Sequence, residues 1–286
     1  MKKFGFRRRA SDALMRRVVR LSNGKGSRHE SPYLPSDSQL TKYEQEVGKI
    51  LRSKSKWRNF RSRYHYRIVL EHVDPIHGRE YLNTIKESNP KAFDVIQEIK
   101  KNDKIGNPAL HKYQETGYIS PTTLRYLSVA TQLGIKFNQM ENFRIAEIGI
   151  GYGGQIRILD ELFEIKEFVG FDLSDVQLLA GRYLQSYPVK CEISFPDIAQ
   201  FKPRSFDLII SNYAFSELPE SLQREYIQKI LKFSRHGYLT MNSGLPEFPE
   251  RNQGKMLLAE LLMELPDARV EPETPLTSNG NYLIVW

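Results

Sequence analysis

Between Arg144 and Asn242 five short apolar runs alternate with helix-patterned segments, and this alternation constrains the fold more than any other feature of the chain. The runs are RIAEIG (144–149), EFVGFD (167–172), CEISF (191–195), FDLIIS (206–211) and GYLTMN (237–242). Ile156, Leu159, Leu162 and Phe163 share one helix face after the first run, and Val176, Leu179, Tyr183 and Leu184 do so after the second. Leu222, Tyr226, Ile230 and Leu231 mark a helix between the last two runs. Parallel strands need crossovers, and right-handed crossovers place helices on both faces of a sheet. At the end of the chain ARVEP and NYLIVW flank TSNGN as a hairpin. The expected fold is α/β: a Rossmann-like, doubly wound, mostly parallel seven-stranded sheet with an antiparallel C-terminal hairpin, preceded by a helical N-terminal region.

Charge divides the chain differently. Residues 1–30 hold ten Lys and Arg against Asp12 and Glu30, whereas the whole chain of 286 has 42 basic and 34 acidic side chains. The rest, with 32 of each, is neutral. The basic character belongs to the arm and not to the folded body. Within it, Ser11 can cap a short helix carrying Leu14, Val18, Val19 and Leu21 between arginines, a pattern suited to an anionic lipid surface. A solvated arm and an Arg-rich transit peptide are the alternatives. Pro and Ser punctuation from Lys25 to Gln39 reads as a linker. The expected division is an arm and linker over 1–39, a helical cap over 40–120 and a cofactor-binding domain over 121–286.

One cysteine, Cys191, allows no internal disulfide, and no stretch approaches the ~18 apolar residues of a spanning helix. With no apolar h-region at the start, these features predict a cytoplasmic protein that is peripheral to a membrane if the arm binds lipid. In the cap, WRNFRSRYHYR (57–67) interleaves aromatics with cations as single-strand nucleic-acid surfaces do. Trp57, Phe60, Tyr64 and Ile68 nevertheless fall at i, i+3, i+7 and i+11, which favours a core stripe flanked by solvated arginines.

Chemistry concentrates at AEIGIGYGGQ (146–155), a strand that runs into glycines. Gly149-Ile-Gly151-Tyr-Gly153-Gly154 satisfies G-x-G-x-x-G, with Asp172 lying 23 residues beyond Gly149, so a dinucleotide is admissible. Glu147, two residues before the first glycine, argues against it. A pyrophosphate there would meet a carboxylate, whereas a cofactor with a cationic amino-acid head would be attracted.

The acid followed by G-x-G-x-G resembles the first motif of class I S-adenosylmethionine-dependent methyltransferases. The resemblance implies that Gly149, Gly151 and Gly153 contact the methionine moiety, with Glu147, Tyr152 and Ser211 beside the cofactor. It also implies that Asp172 binds the ribose hydroxyls and Asp197, in FPDIAQF, the adenine amino group. SPTTLRYL (120–127), EIGIGYGGQ, SNYAFSELP (211–219) and GYLTMN together resemble a sugar O-methyltransferase family of bacterial polysaccharide and glycan clusters. That likeness covers roughly 105–286. It implies methyl transfer from S-adenosylmethionine to a sugar or glycan hydroxyl.

For that reaction Glu217 is the candidate base, with Tyr213 and Asn212 orienting the acceptor. The plain reading of Glu217 is a helix-start carboxylate, since Leu218-Pro219 opens a helix. His111, Tyr118 and Arg125 are candidates for the acceptor pocket, and Glu115 lies in the same lead-in. His236 reads as a turn residue before the fifth strand. No His, Asp or Glu cluster has metal-site spacing, so no metal ligand is named, although some sugar methyltransferases use a divalent ion. Three rivals stand: a nucleic-acid methyltransferase using the arm, a nicotinamide oxidoreductase, and a non-catalytic scaffold. An Asn/Asp-Pro-Pro-aromatic signature, frequent in amino-group methylation, is missing at Ser211-Asn212-Tyr213-Ala214.

Overall fold

The computed structural model describes residues 37–138 and 140–286. The basic arm, its capped helix and most of the linker lie outside them. Seven strands form one sheet: β3 (Phe143–Ile148), β4 (Ile165–Phe171), β5 (Glu192–Ser194), β6 (Phe206–Asn212), β7 (Ser234–Met241), β8 (Arg269–Pro272) and β9 (Tyr282–Val285). Their order is β5-β4-β3-β6-β7-β9-β8. The pairs β3–β4, β4–β5 and β6–β7 are parallel, and β9 is antiparallel to both β7 and β8. This is the mostly parallel, Rossmann-like sheet with an antiparallel terminal hairpin that the sequence predicts. Two further strands, β1 (His111–Tyr113) and β2 (Gly117–Ile119), make a separate antiparallel hairpin.

The chain divides after Asp197 into two compact units. The first begins with helices: α1 (Asp37–Leu51), α2 (Lys54–Arg58), α3 (Tyr64–Leu70), α4 (Pro75–Ser88) and α5 (Ile96–Ile99). After the β1–β2 hairpin come α6 (Pro121–Phe137), α7 (Gly154–Leu162) between β3 and β4, and α8 (Ser174–Leu184) between β4 and β5. Pro121 opens α6 at its first turn, where the missing N–H costs nothing. Apolar residues at β3 and β4, with Ile145, Ala146, Phe168 and Val169 at 0–1 % exposure, read as strands covered on both faces.

The stretch 57–67 departs from the single helix that its spacing suggests. It is broken into α2, a 3₁₀ turn over Phe60–Ser62 and α3. Phe60 and Tyr66 are buried, while Tyr64, expected on the apolar face, is 64 % exposed. Arg61, expected in solvent, is fully buried. The cause is polar partnering. Its guanidinium donates to Glu71, to the Asn102 carbonyl at 2.9 Å, to Asp103 at 3.0 Å and to Ser120 Oγ at 3.3 Å. Burial opposes the charge, but Glu71, Tyr152 and Asp103 together raise the Arg61 pKa. Glu71 itself is pushed up by burial, with Arg61 pulling it back. Phe60, Arg61 and Tyr66 are thus core residues, while Arg58, Tyr64 and Arg67 stay exposed.

The second unit holds β6, α9 (Ala214–Glu217), α10 (Glu220–Lys229), β7, α11 (Leu258–Glu264), β8 and β9. His236, predicted in a turn, is the third residue of β7 and pairs in register with Leu208. The strand begins three residues earlier than its apolar run because Ser234 and His236 already pair with Phe206 and Leu208 of β6. At Gly237 the Trp286 ring occupies the side-chain position, since a Cβ there would lie 2.2 Å from it. Trp286 is pinned by its ring N–H to the Ser234 carbonyl at 3.1 Å. Gly237→Ala should therefore cost about 1–3 kcal/mol by overpacking, read as a lower denaturant midpoint at unchanged slope.

Candidate active site

The candidates around the glycine turn and in 211–217 lie at or just past the carboxyl end of a parallel strand, where α/β sheets bind ligands. In the first unit β3 ends at Ile148 and the chain turns through three left-handed glycines, Gly149 (φ 81°), Gly151 (φ 53°) and Gly153 (φ 85°). The Gly149 N–H donates to the Phe171 carbonyl at 2.8 Å, and the Gly153 N–H to that of Ile150 at 3.0 Å. A side chain at Gly153 would meet Leu184 at 3.0 Å as well as a strained backbone. Helix α7 starts at the next residue and presents its first-turn N–H groups.

Asp172, just past β4, ties this turn together. Its Oδ2 accepts from the Gly151 N–H at 3.0 Å and its Oδ1 from the Leu173 N–H at 2.8 Å. Burial pushes its carboxyl up to about 6, against the pull of the N–H groups of Leu173, Gly151 and Ile150. Glu147, 2 % exposed, pairs with Gly170 of β4. The glycine turn, buried Glu147 and Asp172 together form a cradle that fits a ligand with a cationic head and free hydroxyls.

Tyr152 is placed differently from the other turn residues. Its side chain is fully buried, with the Tyr183 ring at 4.9 Å, the Arg61 guanidinium 4.5 Å from its own ring, and its hydroxyl taking a 3.3 Å bond from Asn102. It roots the turn in the helical region and leaves only its backbone for a ligand. Asp197 is exposed, three residues beyond β5. Tyr43 of α1 is buried near Asp172, whose charge adds to burial in raising the Tyr43 pKa. Leu70 of α3 lies 3.1 Å from where a Gly151 side chain would start. The helical region therefore covers the turn.

His111, Tyr118 and Arg125 are not one cluster in element terms. His111 and Tyr118 sit on the β1–β2 hairpin, at facing positions with Ile119 and Lys112 respectively, and Tyr118 is 60 % exposed. Glu115 takes two bonds from Arg79, at 2.8 and 2.7 Å. Arg125 is buried in α6, 5.3 Å from the Tyr126 ring. Its charge adds to burial in lowering the His72 pKa to about 4.

In the second unit the end of β6 carries a polar cluster. Ser211, fully buried, accepts from the Phe215 N–H at 2.9 Å and so braces α9. Asn212 closes the strand, opposite Thr240 of β7. Tyr213 has φ 69°, rare for a tyrosine, and its N–H donates to the Thr240 carbonyl at 2.9 Å. Its hydroxyl donates to Glu273. Glu217 ends the single turn of α9, and Pro219 caps α10, which starts at Glu220. The Glu217 Oε1 accepts from Asn242 Nδ2 at 2.8 Å, and Asn242 is in turn fixed by Ser216 Oγ at 2.7 Å. Asn242 and Glu273 were not singled out by sequence reasoning. Asn242, at the end of a predicted strand, was findable; Glu273, between two prolines near the hairpin, carries no signal. Among the described residues, no group of three or more His, Cys, Asp or Glu is placed to hold a metal ion, and no helix is long and apolar enough to cross a membrane.

Residues 146–237 match the family model described as a methyltransferase domain. The chain carries a methyltransferase domain. The matched stretch contains Glu147, the glycine turn and Asp172. No curated protein matches the chain. Among solved structures it is similar to magnesium protoporphyrin IX methyltransferase of Synechocystis PCC 6803 with bound cofactor, at 15 % identity over 56 % of this chain and 76 % of that one, TM-score 0.43. It is also similar to the PH0226 protein of Pyrococcus horikoshii OT3, at 16 % identity over 57 % and 90 % of the two chains, TM-score 0.42. Likeness at this level bears on neither substrate nor partner.

Proposed function

We propose that the enzyme transfers the methyl group of S-adenosylmethionine to a sugar hydroxyl, in polysaccharide or glycan synthesis. One observation carries the reading: Glu217, in the stretch that resembles the sugar O-methyltransferases, has its carboxylate held by the Asn242 amide at 2.8 Å. Methyl transfer is an in-line displacement at a sulfonium, so alignment of the acceptor supplies much of the rate. A sugar hydroxyl is a poor nucleophile, and a carboxylate that takes its proton as the C–O bond forms lowers the barrier. Glu217 fills that role, with Asn212 and Tyr213 orienting the acceptor. Asp172, Glu147 and the turn hold the donor, with Asp197 for the adenine and Ser211 supporting the short helix that bears Glu217. His111, Tyr118 and Arg125 are proposed for the acceptor side, and the basic arm over residues 1–30 for an anionic surface.

The test is transfer of labelled methyl from S-adenosylmethionine to the methyl glycosides of glucose, galactose, mannose and rhamnose. Uptake by at least one, and a fall in kcat of about 10²–10⁴ for Glu217→Gln with KM little changed, is the expected result. Near-full turnover by the Gln variant removes Glu217 as the base. Uptake by an RNA and by none of the glycosides turns the function to nucleic acid.

A further inference from the structure

Tyr213 combines two features that ordinary packing does not require. Its backbone is left-handed at φ 69°, a conformation that costs about 1–3 kcal/mol in a non-glycine residue and collects at functional sites. Its hydroxyl is also bound to Glu273, a carboxylate only 8 % exposed and 60 residues away in sequence. The protons around this pair can be counted. Glu273 Oε2 accepts the Thr277 N–H at 2.8 Å, and the Thr277 hydroxyl lies 2.8 and 2.9 Å from the two carboxylate oxygens. Thr277 Oγ1 is 3.0 Å from the Tyr213 oxygen and accepts from Asn281 Nδ2 at 3.0 Å. An ionised carboxylate only accepts, so the Tyr213 proton points at Glu273, and the single Thr277 proton serves the carboxylate or the Tyr213 oxygen.

We propose that Glu273 is a positioning residue that fixes the polarity of Tyr213: with its single proton committed to Glu273, the phenol meets an acceptor substrate only as a hydrogen-bond acceptor. The group that docks against Tyr213 is then itself a donor. A hydroxyl satisfies this and a carboxylate or phosphate does not, so the pair selects substrates that carry a second hydroxyl beside the one methylated, whose own proton goes to Glu217. This rests on the O-methyltransferase reading for its substrate, but the Tyr213–Glu273 link stands apart from it. Burial leaves the Glu273 pKa raised, and the hydrogen bonds from the Tyr213 hydroxyl, Thr277 and Asn281 pull it part of the way back.

The experiment is carbon NMR of protein labelled at the tyrosine Cζ and saturated with S-adenosylhomocysteine, with Tyr213→Phe to assign the resonance. Glu273→Gln should move the Tyr213 signal upfield, because a neutral amide draws less on the phenol proton, and Glu273→Asp should restore much of the shift. An unmoved signal overturns the proposal. Turnover of the methylated glycoside gives the second reading: Glu273→Gln and Tyr213→Phe should each lower kcat about tenfold or more with KM nearly unchanged, and the double variant no further. Losses that multiply in the double variant contradict a shared role. If no glycoside takes up methyl, the sugar reading falls, and the resonance alone decides the Tyr213–Glu273 link.

Discussion

Asp172→Ala should bind S-adenosylhomocysteine about a hundredfold more weakly than the unmodified protein. The side chain holds the Gly151 and Leu173 N–H groups, and we propose that its remaining lone pairs go to the ribose. Its loss orphans two donors at the mouth of the turn and removes a charged acceptor for the ligand. At about 1.5 kcal/mol for each bond to a charged group, two such losses amount to about two orders of magnitude. Asp172→Asn keeps the shape and one acceptor oxygen, so it should fall between the two. The same residue gives a pH signature. With its carboxyl raised to about 6 from an ordinary 3.8, the folded chain holds the proton longer than the unfolded chain does. Its contribution to stability is therefore complete below pH 3.8 and lost as the pH rises through about 6. Cofactor affinity moves the opposite way, because the ionised form accepts ribose hydroxyls more strongly. Calorimetry should show binding that strengthens from about pH 5 to pH 7.5 in the unmodified protein and is flat in the Ala variant.

Arg61→Met should lower the melting temperature by about 10 °C. Removing one partner of a buried ionic network leaves the others charged and desolvated, at a cost of about 3–5 kcal/mol. For a chain of this size each kcal/mol is worth about 2–4 °C. Glu71 and Asp103 would both lose their guanidinium, and Ser120 and the Asn102 carbonyl a donor. The Tyr152 ring would also lose the cation over its face. Arg61→Lys should not rescue the loss, since one ammonium cannot replace a planar fork directed at four groups. Thermal scanning of both variants reads the effect. A shift under about 3 °C for Met would mean that the network adds little to the fold.

The sheet was legible because its strands are short apolar runs bounded by turns, and because glycine spacing at Gly149, Gly151 and Gly153 admits few backbones. What escaped depended on contacts between residues distant in sequence. Arg61 and Arg63 look alike within WRNFRSRYHYR, yet only the fold brings Asp103 and Ser120 to Arg61 and makes it a core residue. Tyr152 reads as a ligand-facing side chain until Tyr183 and Asn102 close around it. The hairpin at His111–Ile119 is too short to show alternation, so it was absorbed into a helical region. The proposed acceptor cluster was half visible. SNYAFSEL sits after a recognisable strand, but the partners that orient Glu217 and Tyr213 come from Asn242 and Glu273, 25 and 60 residues downstream.

The most direct test of the central claim is calorimetric titration of the unmodified protein with S-adenosylhomocysteine and, separately, with NADH. Micromolar binding of S-adenosylhomocysteine with no heat from NADH is the predicted result. Binding of NADH alone would contradict the assignment of the glycine turn, and binding of neither would make the fold a scaffold without a cofactor.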